Sequence, residues 1–465
     1  MLFVTIDRKS SVSLTQQIYD QIRKSILNRD LEEGERLASS RGLSAAIGVS
    51  RNVVLEAYER LIAEGYLEVR SKSGTFVAKG SFLPAKGKTS EYEKVMPNVA
   101  DRKPIIDFRG SHPAMDQFPR KKWGQLTRDI CYEAPDHIFG YAEPGGIREL
   151  RVTLAKYLQR VRSVHCHPEQ IMITTGATQA LRLITEMLIK ARTGISVEDP
   201  VTDEMRNIFF SAGAGIIPVP VDENGIIPEC LPKEEGTGFV FVIPSHQFPM
   251  GGILSIQRRV QLIQYARELN NYIVEDDYDS EFTYEGAPVP SIQGLDPERV
   301  IYVGTFSKIL SPALRMGFVV LPTHLIETFR RLKWFHDRHT SSIDQLVLSR
   351  FIEEGYLDRH IRKMRRIYRK RREVLETAVR ASFKNAKIIG RAAGMHLVVD
   401  IPDIDFDDAL AGEIEKQGVR IYPVEHFAMN KGRHTHQVVM GYGSLTPEQI
   451  LQGVTQLKKF LSTRG

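Results

Sequence analysis

The chain has 465 residues, with 63 lysines and arginines against 57 aspartates and glutamates, a formal net charge of +6 and an isoelectric point near 9.0. That length exceeds one ordinary core, so two or three domains are expected, and a 42% hydrophobic and 26% charged composition is ordinary for a globular protein and excludes neither an enzyme nor a regulator. The basic balance is compatible with an anionic partner without requiring one.

The opening MLFVTIDRKSSV carries early charges and no apolar signal core, and no segment reaches the apolar length of a membrane span, so a cytoplasmic protein is expected. Leu14, Ile18, Ile22 and Ile26 recur every fourth residue and predict a helix over 14–27. A short helix follows over Ser40 to Ile47, ended by Gly48. Ser50 is an N-cap candidate for a third helix, in which Val54, Ala57, Tyr58, Leu61 and Ile62 form the apolar face. Gly65 stops it, and Tyr66 to Val69 with Thr75 to Val77, joined by Ser71 to Gly74, read as a β-hairpin.

This is the element order of an α+β winged helix-turn-helix, a module that binds double-stranded operator DNA. Arg51 and Asn52, at the exposed start of the third helix, are residue types that read base edges in a groove. Arg41, Arg70 and Lys72 are candidates for phosphate contacts that set the register. A small three-helix packing module with solvated arginines is the alternative. The motifs L-A-S-S-R, S-R-N-V-V-x-x-A-Y-x-x-L and E-G-Y-L…G-T-F-V, between about residues 11 and 78, resemble the GntR-type winged helix. Two departures stand out against that family: Ala38 where proline is usual, and Val53, often threonine, which removes a hydroxyl that could meet a phosphate. The DNA-binding domain is therefore set at 1–77. Residues 78–104, polar and proline-bearing without periodicity, are a linker, and an effector domain fills 105–465.

Beyond Ile105, strand candidates IMIT at 171, FVFVI at 239, YIV at 272, VIYV at 300 and GFVVL at 317 alternate with helical stretches. That alternation predicts an α/β fold around a largely parallel sheet, with ligands beyond the carboxyl ends of its strands. His165-Cys166-His167 has no second ligand cluster and reads as a loop before Pro168; Cys131, Cys166 and Cys230 suggest neither a disulfide framework nor a metal site. IMIT runs into Thr175-Gly176-Ala177-Thr178 and an apolar helix, a turn that can cradle a phosphate or be purely structural. YIV runs into Glu275-Asp276-Asp277-Tyr278-Asp279, acids that need a cation if buried: a protonated pyridine or, as the competing reading, a divalent metal. VIYV leads to Ser307-Lys308, with Arg315 beyond; a lysine there can form a Schiff base with an aldehyde whose phosphate Ser307 and Arg315 hold. Together these describe pyridoxal 5'-phosphate.

P-S-H-Q-F-P-x-G at 244–251, E-D-D-Y-D-S-E-F at 275–282 and G-T-F-S-K at 304–308 resemble fold-type I aminotransferases. With the N-terminal reader, nearly the whole chain resembles the MocR family of transcription regulators. That resemblance implies an internal aldimine on Lys308, Asp276 against the pyridinium nitrogen and Tyr278 at the ring hydroxyl. It also implies Ala177, Thr178, Ser307 and Arg315 at the phosphate, and His246 and Gln247 beside the ring. Tyr141, in G-Y-A-E-P-G-G, resembles the tyrosine lent to a partner subunit's phosphate, so a homodimer is expected. Val201-Thr202 replaces the aromatic residue usual after E-D-P, and Thr435, with Arg433 two residues earlier, stands where an amino-acid-responsive relative has its carboxylate arginine.

Three functions follow from the resemblance. The favoured one is a regulator that senses pyridoxal phosphate itself and controls vitamin B6 synthesis genes, with no catalytic residues in use. A regulator answering an amino acid such as GABA, taurine or a D-amino acid is the second, and a working aminotransferase with a DNA-binding appendage is the third. The basic run Arg359 to Glu373 reads as a solvated structural helix or as an extension of the DNA footprint. Ser341 to Gly465 is the expected C-terminal part.

Overall fold

In the computed structural model, the described residues are 4–81, 105–189, 194–233, 237–286, 289–402 and 404–463. The chain divides into two units, Met1–Arg102 and Lys103–Gly465. Of the stretch expected as a linker, residues 82–104 lie outside the described residues.

The first unit is built on three helices, α1 (Leu14–Leu27), α2 (Ser40–Ile47) and α3 (Arg51–Ala63), and a hairpin of β1 (Leu67–Arg70) and β2 (Gly74–Val77). Ser13 caps α1 by accepting from the Gln16 amide, and Ile18, Ile22 and Ile26 are fully buried against Val54, Ala57 and Leu61. Burying each such aliphatic side chain contributes about 1.5–3 kcal/mol, which lets a unit this small hold together. Ser39 caps α2, and Gly48, at φ 67°, ends it in the left-handed region. Ser50 occupies the N-cap position of α3 as expected, but its side chain makes no capping bond. In place of the proline expected before the Ser-Ser-Arg turn, the Ala38 carbonyl accepts from the Tyr58 hydroxyl at 2.9 Å, so a buried tyrosine fixes that turn. Val53 packs against the core.

The second unit starts at β3 (Ile106–Asp107). Its main sheet uses β4 (Ile171–Thr174), β5 (Gly194–Asp199), β6 (Gly215–Asp222), β7 (Gly225–Ile226), β8 (Thr237–Val242), β9 (Tyr272–Asp277), β10 (Val300–Thr305) and β11 (Gly317–Val320). They lie in the order β4-β11-β10-β9-β8-β5-β6-β7; the pairs joining β10, β9, β8, β5 and β6 are parallel, while β11 and β7 run against their neighbours. β12 (Lys387–Ile389), β13 (His396–Asp400), β14 (Val419–Arg420), β15 (Tyr422–Pro423) and β16 (Gln437–Gly441) complete the unit. β12, β13, β16 and β15 form an antiparallel sheet, and β14 pairs in parallel with β3, tying the start of the unit to its C-terminal part.

All five expected strands are present, and β3, β5, β6, β7, β14 and the antiparallel sheet add to them. β6 hides behind Pro218 and Pro220, which argue against a strand. The Pro220 carbonyl accepts from the Ile227 amide, so its ring nitrogen faces the side that short β7 covers only at Val221 and Asp222; Pro218, two residues away, faces the same side.

Candidate functional site

In the first unit, Arg41, Arg51, Asn52, Arg70 and Lys72 are all exposed. Arg51 and Asn52 open α3, with Arg51 donating to Ser40 Oγ of α2 at 3.3 Å. Arg70 has local partners: it lies 2.7 Å from Glu68 and 4.4 Å over the Phe76 ring. Lys72 sits at the hairpin tip with φ 58°. Arg36, bridged in antiparallel fashion to Phe76, extends the hairpin toward a third strand, an element that local sequence pattern does not reveal.

The second unit carries a cavity of about 480 Å³ beyond the carboxyl ends of the parallel strands. β4 delivers Ala177 and Thr178 through Gly176, which at φ 91° heads the helix Ala177–Leu188. A Cβ on Gly176 would come within 2.9 Å of Arg315, and one on Gly317 within 2.8 Å of Gly176, so both glycines are needed for this close approach. β9 delivers Asp276 and Tyr278; β10 delivers Thr305, Ser307 and Lys308. Arg315 reaches in from just ahead of β11 and donates to the Thr175 carbonyl at 2.8 Å.

The acid run divides by partner. Asp277 meets Arg162 at 2.6 Å and accepts from the Tyr302 hydroxyl at 2.5 Å, and Glu275 accepts from the amides of Ile292 and Gln293. Asp276, 1% exposed, has no hydrogen-bond partner on either carboxylate oxygen, and burial pushes its carboxyl up to about 7, helped by Asp277 and opposed by Lys308. Burial pulls the Lys308 ammonium below its usual range, against Glu204, Asp279 and Asp276, which favour the charge. Burial likewise holds the Tyr278 phenol well above its usual range; its hydroxyl lies 3.2 Å from both His246 Nδ1 and the His246 carbonyl. An unpartnered buried carboxylate, a lysine with a lowered charge preference and an arginine against a helix-opening turn fit a phosphorylated pyridine aldehyde. Among the described residues, no group of three histidine, cysteine, aspartate or glutamate side chains gathers to hold a metal ion.

Three expected neighbours of the ligand lie off the cavity wall. His246 is buried behind Tyr278, 3.4 Å from Asp279 and with its rings 4.9 Å from His396. Gln247 directs its amide to backbone, donating to the carbonyls of Pro200, just after β5, and Phe248, and accepting from the Met250 amide. Tyr141 is 77% exposed, with the Arg338 guanidinium 3.8 Å over its ring. Val201 is fully buried off the wall while Thr202 lines it, and neither Arg433 nor Thr435 does.

Sequence reasoning missed several wall residues. Arg109, Ser111 and His112 follow β3, Glu204 lies in the helix Asp203–Ser211, and Tyr422 and Phe427 come from the C-terminal part. The polar run D-F-R-G-S-H-P directly after a short strand was the one local signal for the first group. The basic helix Tyr356–Ser382 buries Leu357, Ile361, Met364, Tyr368, Leu375 and Val379, while Arg365 donates to the Glu281 carbonyl at 2.7 Å. Lys363, Arg366 and Lys370 on the same helix are exposed.

Residues 14–77 match the bacterial regulatory proteins of the gntR family, and residues 110–452 match aminotransferase class I and II. The chain is 33% identical to the probable rhizopine catabolism regulatory protein MocR of Rhizobium meliloti, over 98% of this chain and 95% of that protein. It is 30% identical to the pyridoxine biosynthesis transcriptional regulator PdxR of Corynebacterium glutamicum, over 95% and 94%. The α-aminoadipate aminotransferase LysN of Thermus thermophilus, solved in complex with N-(5'-phosphopyridoxyl)-L-leucine, superposes with a TM-score of 0.70 and 27% identity, covering 77% of this chain and 92% of that one.

Proposed function

The chain belongs to the MocR-type DNA-binding transcription regulators, a GntR winged helix joined to a class I and II aminotransferase fold, and we propose that the signal it senses is pyridoxal 5'-phosphate itself. On this reading it controls vitamin B6 synthesis genes from the cytoplasm, as a homodimer, and its aminotransferase chemistry is vestigial. The relative PdxR, named for pyridoxine biosynthesis, supports the choice of signal.

When bound, pyridoxal phosphate supplies an aldehyde that a lysine amine can join covalently and a ring nitrogen that can carry positive charge. Lys308, its charge disfavoured by burial, would be the amine; the unpartnered Asp276 would face the ring nitrogen, and Tyr278 would donate to the ring hydroxyl. Ala177, Thr178, Ser307 and Arg315, which line the cavity together, would hold the phosphate. His246 acts through Tyr278, and Gln247 holds the loop.

One observation carries this reading: the cavity wall brings together Lys308, Asp276, Tyr278, Ser307 and Arg315, yet neither Arg433 nor Thr435 reaches it. Without a guanidinium at that position an amino-acid carboxylate loses the bidentate grip that orients it for reaction. An amino-acid effector is the second reading, and the presence of Arg109 in the wall favours it. The test is an absorbance titration with pyridoxal phosphate, on the native protein and Lys308→Ala, followed by a panel of amino acids. A band near roughly 410–430 nm that requires Lys308 and ignores amino acids supports cofactor sensing. A spectral change with one amino acid selects the second reading, and sustained keto-acid formation overturns the regulator-only view.

A further inference from the structure

Lys333 lies in the helix Ile326–His336, off the cavity wall, and its side chain is fully buried. A buried ammonium is costly unless it is paired and hydrogen-bonded. This one donates to Asp337 at 2.8 Å, to Gln179 Oε1 at 3.3 Å and to Thr340 Oγ1 at 3.4 Å. Gln179 Oε1 also accepts from the Thr175 amide at 2.9 Å, and the Thr175 carbonyl accepts from Arg315 at 2.8 Å. Thr175 is therefore gripped on both sides, and the residue after it is Gly176, which heads the helix bearing Ala177 and Thr178.

The same lysine faces a second loop. The Thr340 carbonyl accepts from Gln345 Nε2 at 2.9 Å, and Gln345 Oε1 accepts from the Ile147 backbone amide at 2.8 Å, at the end of the segment that carries Tyr141. A methionine would fill the place of Lys333 without desolvating a charge, so the cation's contribution is one of geometry.

We propose that Lys333 is a positioning residue for phosphate recognition: by holding Gln179 it fixes Thr175, and so aims Arg315 and the amides of Ala177 and Thr178 at an anionic group. This rests on the reading that the cavity takes pyridoxal phosphate, and it assigns a role to a residue that touches no ligand. The experiment compares binding of pyridoxal phosphate and of pyridoxal, which lacks the phosphate, to the native protein and to Lys333→Met. Lys333→Met is expected to weaken pyridoxal phosphate about tenfold, the loss of one well-placed charged contact, and to leave pyridoxal unchanged. Gln179→Leu breaks the same link without removing a charge, is expected to show the same selective loss, and decides the matter if Lys333→Met does not fold. Equal losses for both ligands, or no loss for either, overturn the inference alone. If the native protein binds no pyridoxal phosphate, the functional reading falls and the inference with it.

Discussion

Replacing Asp276 with asparagine should move cofactor affinity and cofactor-free stability in opposite directions. The carboxyl is fully buried, lacks any hydrogen-bond partner, and titrates near 7 rather than 3.8. A carboxyl raised in this way supports the folded state only while protonated: its contribution is complete below about pH 4 and is lost as pH rises through about 7. Three pH units correspond to about 4 kcal/mol, a ceiling that relaxation and water entry reduce. Asp276→Asn is uncharged at every pH, so the cofactor-free variant should be about 1–4 kcal/mol more stable than native at pH 8, a gap that shrinks toward pH 4. Affinity should fall, because the charge-assisted bond to the ring nitrogen is worth about 1.5–3 kcal/mol, or roughly 10- to 150-fold. Urea unfolding at pH 5 and 8, beside an absorbance titration with pyridoxal phosphate, measures both. Native-like cofactor affinity, or a stability gap independent of pH, would refute the assignment.

In the DNA-binding unit, Arg51→Ala and Asn52→Ala should each lose about 1–3 kcal/mol of discrimination between operator and mismatched duplexes. Arg41→Gln should instead weaken all sequences alike and lower the salt slope of affinity by about 1; fluorescence anisotropy on duplexes selected from a random pool separates the two classes. Substituting Lys363, Arg366 and Lys370 together with glutamine should leave the salt dependence unchanged, because their helix is held by a buried apolar stripe and the Arg365 bond to the Glu281 carbonyl. A reduced slope would place that helix in the DNA footprint. Tyr58→Phe removes the bond to the Ala38 carbonyl and should lower the stability of the DNA-binding unit by about 1 kcal/mol, read by thermal unfolding.

What the sequence disclosed depended on how local the cause was. The stripe of Ile18, Ile22 and Ile26 and the glycine stop at Gly48 act within a few residues, and they could be read directly. Lys308 and Asp276 were legible because one follows and the other lies at the end of a strongly apolar strand that reaches the ligand edge of the sheet. β6 was not, since its two prolines mimic a loop and only the edge position makes them harmless. Arg109 and Tyr422 were hidden for another reason: the parallel pairing of β3 with β14 sets Asp107 beside Arg420, more than three hundred residues apart, and no local pattern encodes that. Gln247 illustrates the converse, a polar residue in a marked motif whose amide is engaged by the backbone of Pro200, Phe248 and Met250.

The cavity wall is assembled from segments near residues 110, 177, 204, 243, 276, 308, 315 and 422, which meet only when the sheet is complete. An unfolded chain therefore lacks the assembled site, and occupancy would act as a thermodynamic clamp on the native state. At a hundredfold excess over the dissociation constant that clamp amounts to about 2.7 kcal/mol. The lifetime of the protein against proteases that attack open chains should consequently track the supply of whatever ligand fills the cavity; if the proposed signal is right, abundance as well as DNA occupancy would report vitamin status.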